Sequence, residues 1–154
     1  MAEKIMVVDD DATLANLLVN LLEMNNYKAE KVASGKQALR KALRDDPDLI
    51  LIDINMPELN GFDVLAGLRS NTITARIPVV VMSILSDDLN VLDGWIQDSD
   101  GYISKPFDPR DLLETIRIVL RKALEERFEE KAQHMQALLD MIERLEDQYL
   151  ETAV

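Results

Sequence analysis

A chain of 154 residues, 47% hydrophobic with five glycines and five prolines, has room for one α/β domain and a short appendage, and excludes disordered, collagen-like and disulfide-framework proteins. The absence of cysteine and the single histidine remove thiol redox chemistry, thiolate metal sites and histidine metal clusters. A formal charge of −12 repels a phosphate backbone, so no direct nucleic-acid contact is expected; no run reaches membrane-spanning length and the N-terminus lacks a signal-peptide core, so the expectation is a cytoplasmic protein with no membrane contact.

Lys4 to Val8 is a continuous β-prone run, and Leu14, Leu17, Leu18, Leu21 and Leu22 then fall on one helical stripe. Tyr27 to Val32 reads as a second strand. Ser34 is positioned to cap a helix with Ala38, Leu39, Ala42 and Leu43 inward, ended by Asp46-Pro47. Asp48 to Ile52 is apolar without alternation after its first residue, as befits a strand covered by helices on both faces. After a turn in which Gly61 reads as a positive-φ residue, a third helix carries Val64, Leu65 and Leu68. Ile77 to Met82 is another buried strand, Leu89 to Ile96 a further helix containing Trp95, and Gly101 to Ser104 a short fifth strand. Five βα units in order predict a doubly wound, five-stranded parallel sheet of flavodoxin-like form.

The final helix has a clear start, with Asp108 at N-cap, Pro109 at N1 and Asp111 at N3. It has no stop signal: from Arg110 to about Leu150 there is neither Pro nor Gly. Leu112, Leu113, Ile116, Val119 and Leu120 make a wide stripe suited to a globular core. Beyond it Leu124, Phe128, Lys131, Met135, Leu138, Ile142, Leu145 and Tyr149 fall at alternating steps of four and three, the seam of a coiled coil, with Lys131 out of pattern. The expected organisation is a domain over 1–121 and a helical extension over 122–154, the latter a stiff rod roughly 40 Å long as far as about Leu150 at about 1.5 Å per residue, serving as the dimerisation element. His134 reads as solvent-facing, and Asp140 and Arg144 are spaced for an i,i+4 pair.

In open parallel sheets ligands bind at the carboxyl ends of the strands, where strand order reverses. Asp9 and Asp10 follow the first strand and Asp53 the third, so the expected fold brings three anions to one rim. Adjacent carboxylates repel unless a cation sits among them, and oxygen-only donors suit Mg²⁺. Ser83 after the fourth strand supplies a hydroxyl and Lys105 after the fifth an ammonium. A phosphoryl group on Asp53 would meet metal, hydroxyl and ammonium together. Each residue also has a plainer reading: Asp9 to Asp11 as loop and cap residues, Asn55 as a turn former, Ser83 as a strand end, Lys105 as a surface lysine, Tyr102 as core.

Over roughly residues 3 to 121 the chain resembles the response-regulator receiver family of two-component systems, through VVDDD at Val7 to Asp11, LIDINMPELNG at Leu51 to Gly61, VVVMS at Val79 to Ser83 and YISKPF at Tyr102 to Phe107. The resemblance implies that Asp53 accepts a phosphoryl group from a histidine kinase or phosphotransfer protein. Mg²⁺ would be held by Asp10, Asp53 and the Asn55 backbone carbonyl, with Asp9 assisting. Lys105, preceding a usually cis proline, would reach the phosphoryl oxygens. Ser83 and Tyr102 match the switch pair that alters the face made by the 89–96 helix, the fifth strand and the final helix. The chain departs from the pattern at Ile84, Leu85, Gly101 and Thr115. Leu85 cannot orient an attacking water, so self-dephosphorylation is expected to be slow. Gly101 and Thr115 replace the aspartate and arginine common in the transcription-factor subfamily that dimerises through that face, leaving the coiled coil as the expected homodimer interface.

Two rivals are disfavoured by particular residues. An aspartate-nucleophile phosphatase typically needs a second aspartate two positions after the nucleophile, where Asn55 stands. A degenerate scaffold would not need Asp9, Asp10, Asp53, Ser83 and Lys105 together.

Overall fold

The computed structural model describes residues 2–84 and 98–153. Five strands, β1 (Lys4–Val8), β2 (Lys28–Val32), β3 (Leu49–Asp53), β4 (Val79–Ile84) and β5 (Gly101–Lys105), form one sheet. The helices among the described residues are α1 (Ala12–Met24), α2 (Gly35–Asp45), α3 (Gly61–Ser70) and α4 (Pro109–Thr152). The expected helix at Leu89–Ile96, with Trp95, lies outside the described residues, as does Leu85.

The sheet is parallel throughout, in the order β2-β1-β3-β4-β5. The chain steps outward from β1 to β2 and then returns past β1 to β3, so the reversal falls between β1 and β3. Side-chain alternation along the strands divides the core into two layers. Met6, Val8, Ile50, Ile52, Val79 and Val81 face Ala38, Ala42, Val64, Leu65 and Leu68 of α2 and α3. Ile5, Val7, Leu49, Leu51, Val80 and Met82 face Leu18 and Leu22 of α1 and Leu112, Ile116 and Val119 of α4. Burial of β3 on both sides explains its unbroken apolar run, each fully buried Leu or Ile contributing roughly 1.5–3 kcal/mol before entropy is charged against it.

Local signals set the helix starts. The Asp11 carboxylate accepts hydrogen bonds from the Thr13 and Leu14 amides at the head of α1, and the Ser34 hydroxyl accepts one from Gln37 at the head of α2. Asn60 and Asp63 form a reciprocal capping box on α3. At Asp46 the chain leaves α2 in the left-handed region, φ 45°, before Pro47.

Three expectations are corrected. Leu17 and Leu43 are exposed, at 62% and 44%, because the inward faces of α1 and α2 are narrower than their leucine content. Gly61 has no positive φ; among the described residues that conformation belongs to Asn26, Asp46 and Glu58. Gly61 is instead required by close approach, since a Cβ there would lie 2.7 Å from the Asp53 carbonyl oxygen and 2.8 Å from the Ile54 Cα. The Asp140 carboxylate accepts a hydrogen bond from Gln136 at 3.0 Å rather than taking the expected place beside Arg144.

By internal contacts the chain divides into Met1–Leu120 and Arg121–Val154. In the second unit Leu124, Phe128, Met135, Leu138, Ile142, Leu145 and Tyr149 are all exposed, as are Lys131 and His134. No helix among the described residues is long and apolar enough to cross a membrane.

Candidate functional site

At the β1/β3 reversal the carboxyl ends of two adjacent strands deliver Asp9, Asp10 and Asp53 to one rim. One carboxylate oxygen from each lies within 4.8 Å of the others, with Asp9 and Asp53 buried and Asp10 exposed. β5 brings Lys105 across from the other side: its Nζ lies 3.1 Å from Asp53 Oδ2 and 3.6 Å from Asp9 Oδ2. The Lys105-Pro106 bond is cis.

The buried carboxylates are only partly compensated. Asp53 Oδ1 accepts the Asn55 amide at 3.1 Å, and Asp9 Oδ1 accepts the Asp11 amide at 2.9 Å. Asp9 Oδ2 is buried with no hydrogen-bond partner; Lys105 is within ion-pair range of it but too distant for a hydrogen bond. Burial foremost pushes the Asp9 carboxyl above its ordinary value, with Asp53 and Asp10 adding repulsion, while the Asp11 amide and Lys105 pull the other way. An unpaired oxygen on a buried anion is costly. Oxygen donors at this spacing can hold a metal ion, which would supply the missing partner.

Ser83 is buried near the end of β4, 3% exposed, and its hydroxyl donates to the Ile84 carbonyl at 2.9 Å. Ile84, next to it, is 60% exposed. Tyr102 on β5 is half-buried, packed against the layer containing Val79 and Val81. The geometry therefore clusters Asp9, Asp10, Asp53 and Lys105, places the Asn55 amide on Asp53, and sets Ser83 and Tyr102 on the two strands beyond.

Sequence reasoning missed Arg69. From the end of α3 its guanidinium donates to the carbonyls of Ala75, Ile77 and Asp98 and to the Asp100 carboxylate, which also accepts the Val79 amide. This ties α3 to the starts of β4 and β5, behind the site. Its only local signal was a basic residue in a last helical turn, which usually reads as a dipole partner.

A five-stranded parallel sheet with an acidic cluster and a lysine at the carboxyl edge defines a signalling receiver domain. Residues 5–117 match the family described as "Response regulator receiver domain", and the chain belongs to that family. It is 36% identical over 122 residues to the DNA-binding response regulator MtrA of Mycobacterium tuberculosis (strain ATCC 25618 / H37Rv), covering 79% of this chain and 52% of MtrA. Against the DNA-binding dual master transcriptional regulator RpaA of Synechocystis it is 32% identical over 135 residues, covering 88% of this chain and 55% of RpaA. The chain thus spans about half the length of the curated relatives it matches. Among solved structures, the signal receiver domain of a signal transduction histidine kinase from Syntrophus aciditrophicus superposes with TM-score 0.73 at 32% identity, covering 79% of this chain and 92% of that one. The Vibrio cholerae chemotaxis protein CheY4 gives 0.71 at 28% identity, covering 77% and 99%.

These relatives correct the expectation of no direct nucleic-acid contact, because the named regulators are DNA-binding proteins. The charge argument failed because net charge describes only the segment it is counted over, and the matched segment is about half of each regulator.

Proposed function

We propose that the chain is the phosphoacceptor receiver of a two-component phosphorelay, working in the cytoplasm and phosphorylated on Asp53 with Mg²⁺ by a histidine kinase or phosphotransfer protein. One observation carries the reading: Lys105 Nζ sits between Asp53 Oδ2 and Asp9 Oδ2, while the buried Asp9 Oδ2 still lacks a hydrogen bond. A surface lysine or a capping aspartate has no reason to be so placed. Asp9, Asp10 and Asp53 would hold the ion through carboxylate oxygens and Asn55 through its backbone carbonyl. A divalent ion bound there offsets the charge of the incoming phosphoryl oxygens.

In the transfer an Asp53 carboxylate oxygen bonds to phosphorus as the phosphorus–nitrogen bond of the donor histidine breaks, and the departing imidazole keeps its electron pair and takes up a proton. Lys105 exchanges part of its pairing with Asp53 for the new phosphoryl oxygens. Ser83 turns its hydroxyl from the Ile84 carbonyl toward them, and Tyr102 follows on β5 as the second member of the switch. The chain acts as a signalling acceptor rather than as an enzyme on other substrates. Slow loss of the phosphoryl group is expected from Leu85.

Output passes through protein contacts and dimerisation by the 122–154 extension, and the relatives' names support a regulator whose action reaches DNA. The exposed stripe from Leu124 to Tyr149 supports that dimer interface. So does β5: a Cβ on Gly101 would lie 3.1 Å from both Thr115 Cγ2 and Val119 Cγ2. Glycine and threonine at these two positions supply neither the carboxylate nor the guanidinium of the ion pair common in the transcription-factor subfamily.

Acetyl phosphate with Mg²⁺, read by intact mass, tests the reading. One phosphoryl adduct is expected on the wild type and none on Asp53→Asn. Continuous phosphate release without an adduct would favour a phosphatase, and no adduct on the wild type would make the domain a scaffold.

A further inference from the structure

We propose that the exposed stripe of α4 pairs antiparallel with the same stripe of a second copy, in the register that sets Leu124 against Tyr149, Phe128 against Leu145, Lys131 against Ile142 and Met135 against Leu138. This rests on the dimerisation reading above and adds the direction and register of the helices.

Three features of the extension choose the direction. In heptad terms Phe128, Met135, Ile142 and Tyr149 occupy a, and Leu124, Lys131, Leu138 and Leu145 occupy d. A parallel pair stacks each d residue on its own copy, putting two Lys131 ammonium groups together in the seam. The antiparallel pair gives each Lys131 an Ile142 to lie along, with its head free to reach water.

The second feature is charge. Residues 121–135 carry four basic and four acidic side chains, whereas residues 136–152 carry five acidic ones against Arg144 alone. Parallel pairing lays the acidic half on its own copy; antiparallel pairing lays it on the balanced half, where Arg121, Lys122, Arg127 and Lys131 stand. Asp140, Glu143, Asp147 and Glu151 stand at f, b, f and c, so this difference acts between the outer faces of the pair, at about a Debye length, and fades as salt rises.

The third feature is the flank. Leu139 and Met141 are exposed apolar residues beside the seam, at e and g. Parallel packing sets them against His134 and Glu146. Antiparallel packing sets Leu139 against Ala132, a large residue over a small one, and Met141 against His134. The cost is one like-charged flank, Glu125 against Glu146, both exposed to solvent.

The chain has no cysteine, so introduced thiols are unique. Leu124→Cys and Tyr149→Cys are made singly, and the full-length proteins are treated with a short bismaleimide, alone and after mixing the two. Residues 124 and 149 are roughly 37 Å apart along one helix at about 1.5 Å per residue, far beyond the reagent. Covalent dimer is expected only in the mixture, at least tenfold above either single variant. Self-crosslinking of each single variant would overturn the antiparallel direction while leaving the dimer intact. A wild-type chain that sediments as a monomer would overturn the dimerisation reading and this register with it. If either thiol weakens association, Glu125→Cys mixed with Glu146→Cys repeats the test on the flank, where absence of crosslinking in an intact dimer would overturn the register.

Discussion

Helix α4 meets two different environments along its length. Leu112, Ile116 and Val119 are buried against the sheet, the first two completely, whereas Leu124, Phe128, Met135, Leu138, Ile142, Leu145 and Tyr149 are 49% to 73% exposed. Both stretches are apolar at helical spacing, so periodicity fixes which face turns inward but not what covers it. The earlier stretch is answered within the chain by Ile5, Leu49, Leu51 and Val80; the later one has no such answer in its own unit. A similar contrast separates the carboxylates: Asp9 and Asp53 are buried with partial compensation, while the acidic residues of the extension are exposed to solvent.

The contrast along α4 is broken most directly by truncation after Leu120. The shortened protein is expected to stay folded, since the core residues of α4 are retained, and to sediment as a monomer while the full chain sediments as a dimer. A truncated protein that still dimerises would move the interface onto the receiver.

The tightness of the first unit is tested next by Gly61→Ala. The new methyl would press on the backbone of Asp53 and Ile54, which cannot rotate away, so a loss of about 2–3 kcal/mol is expected in urea unfolding. Phosphoryl uptake should fall as well, because the displaced strand end carries Asp53.

The smallest effect sharpens the comparison of carboxylates. Asp9 is held above its ordinary value by burial, so the folded state binds its proton more tightly than the unfolded chain. Its contribution to stability is therefore fully present below the ordinary carboxylate range and is lost as pH rises through the raised value. In metal-free buffer Asp9→Asn should remove that decline and raise the thermal midpoint at neutral pH by a few degrees, about 1 kcal/mol. Mg²⁺ at ten times its dissociation constant should stabilise the wild type by about 1.4 kcal/mol and the variant by less. A variant no more stable than wild type without metal would show that Lys105 already neutralises Asp9.

Sequence alone determined the order of the elements and the strand ends at which chemistry-bearing residues stand. Unbroken apolar runs such as Leu49–Ile52 state burial on both faces, and a carboxylate and a hydroxyl side chain announced the helix starts at Asp11 and Ser34 through local hydrogen bonds. Such signals act over a few residues and need no knowledge of the rest of the chain. Tertiary structure decided whatever depended on distant backbone: that Gly61 answers to Asp53 rather than to its own φ, that Arg69 gathers three carbonyls and Asp100 from separate segments, that Leu17 and Leu43 face water, and that Asp9 keeps one oxygen without a hydrogen bond while Lys105 reaches toward it from β5. Desolvation and steric approach are set by what packs opposite, and a residue's neighbours in sequence do not carry that information.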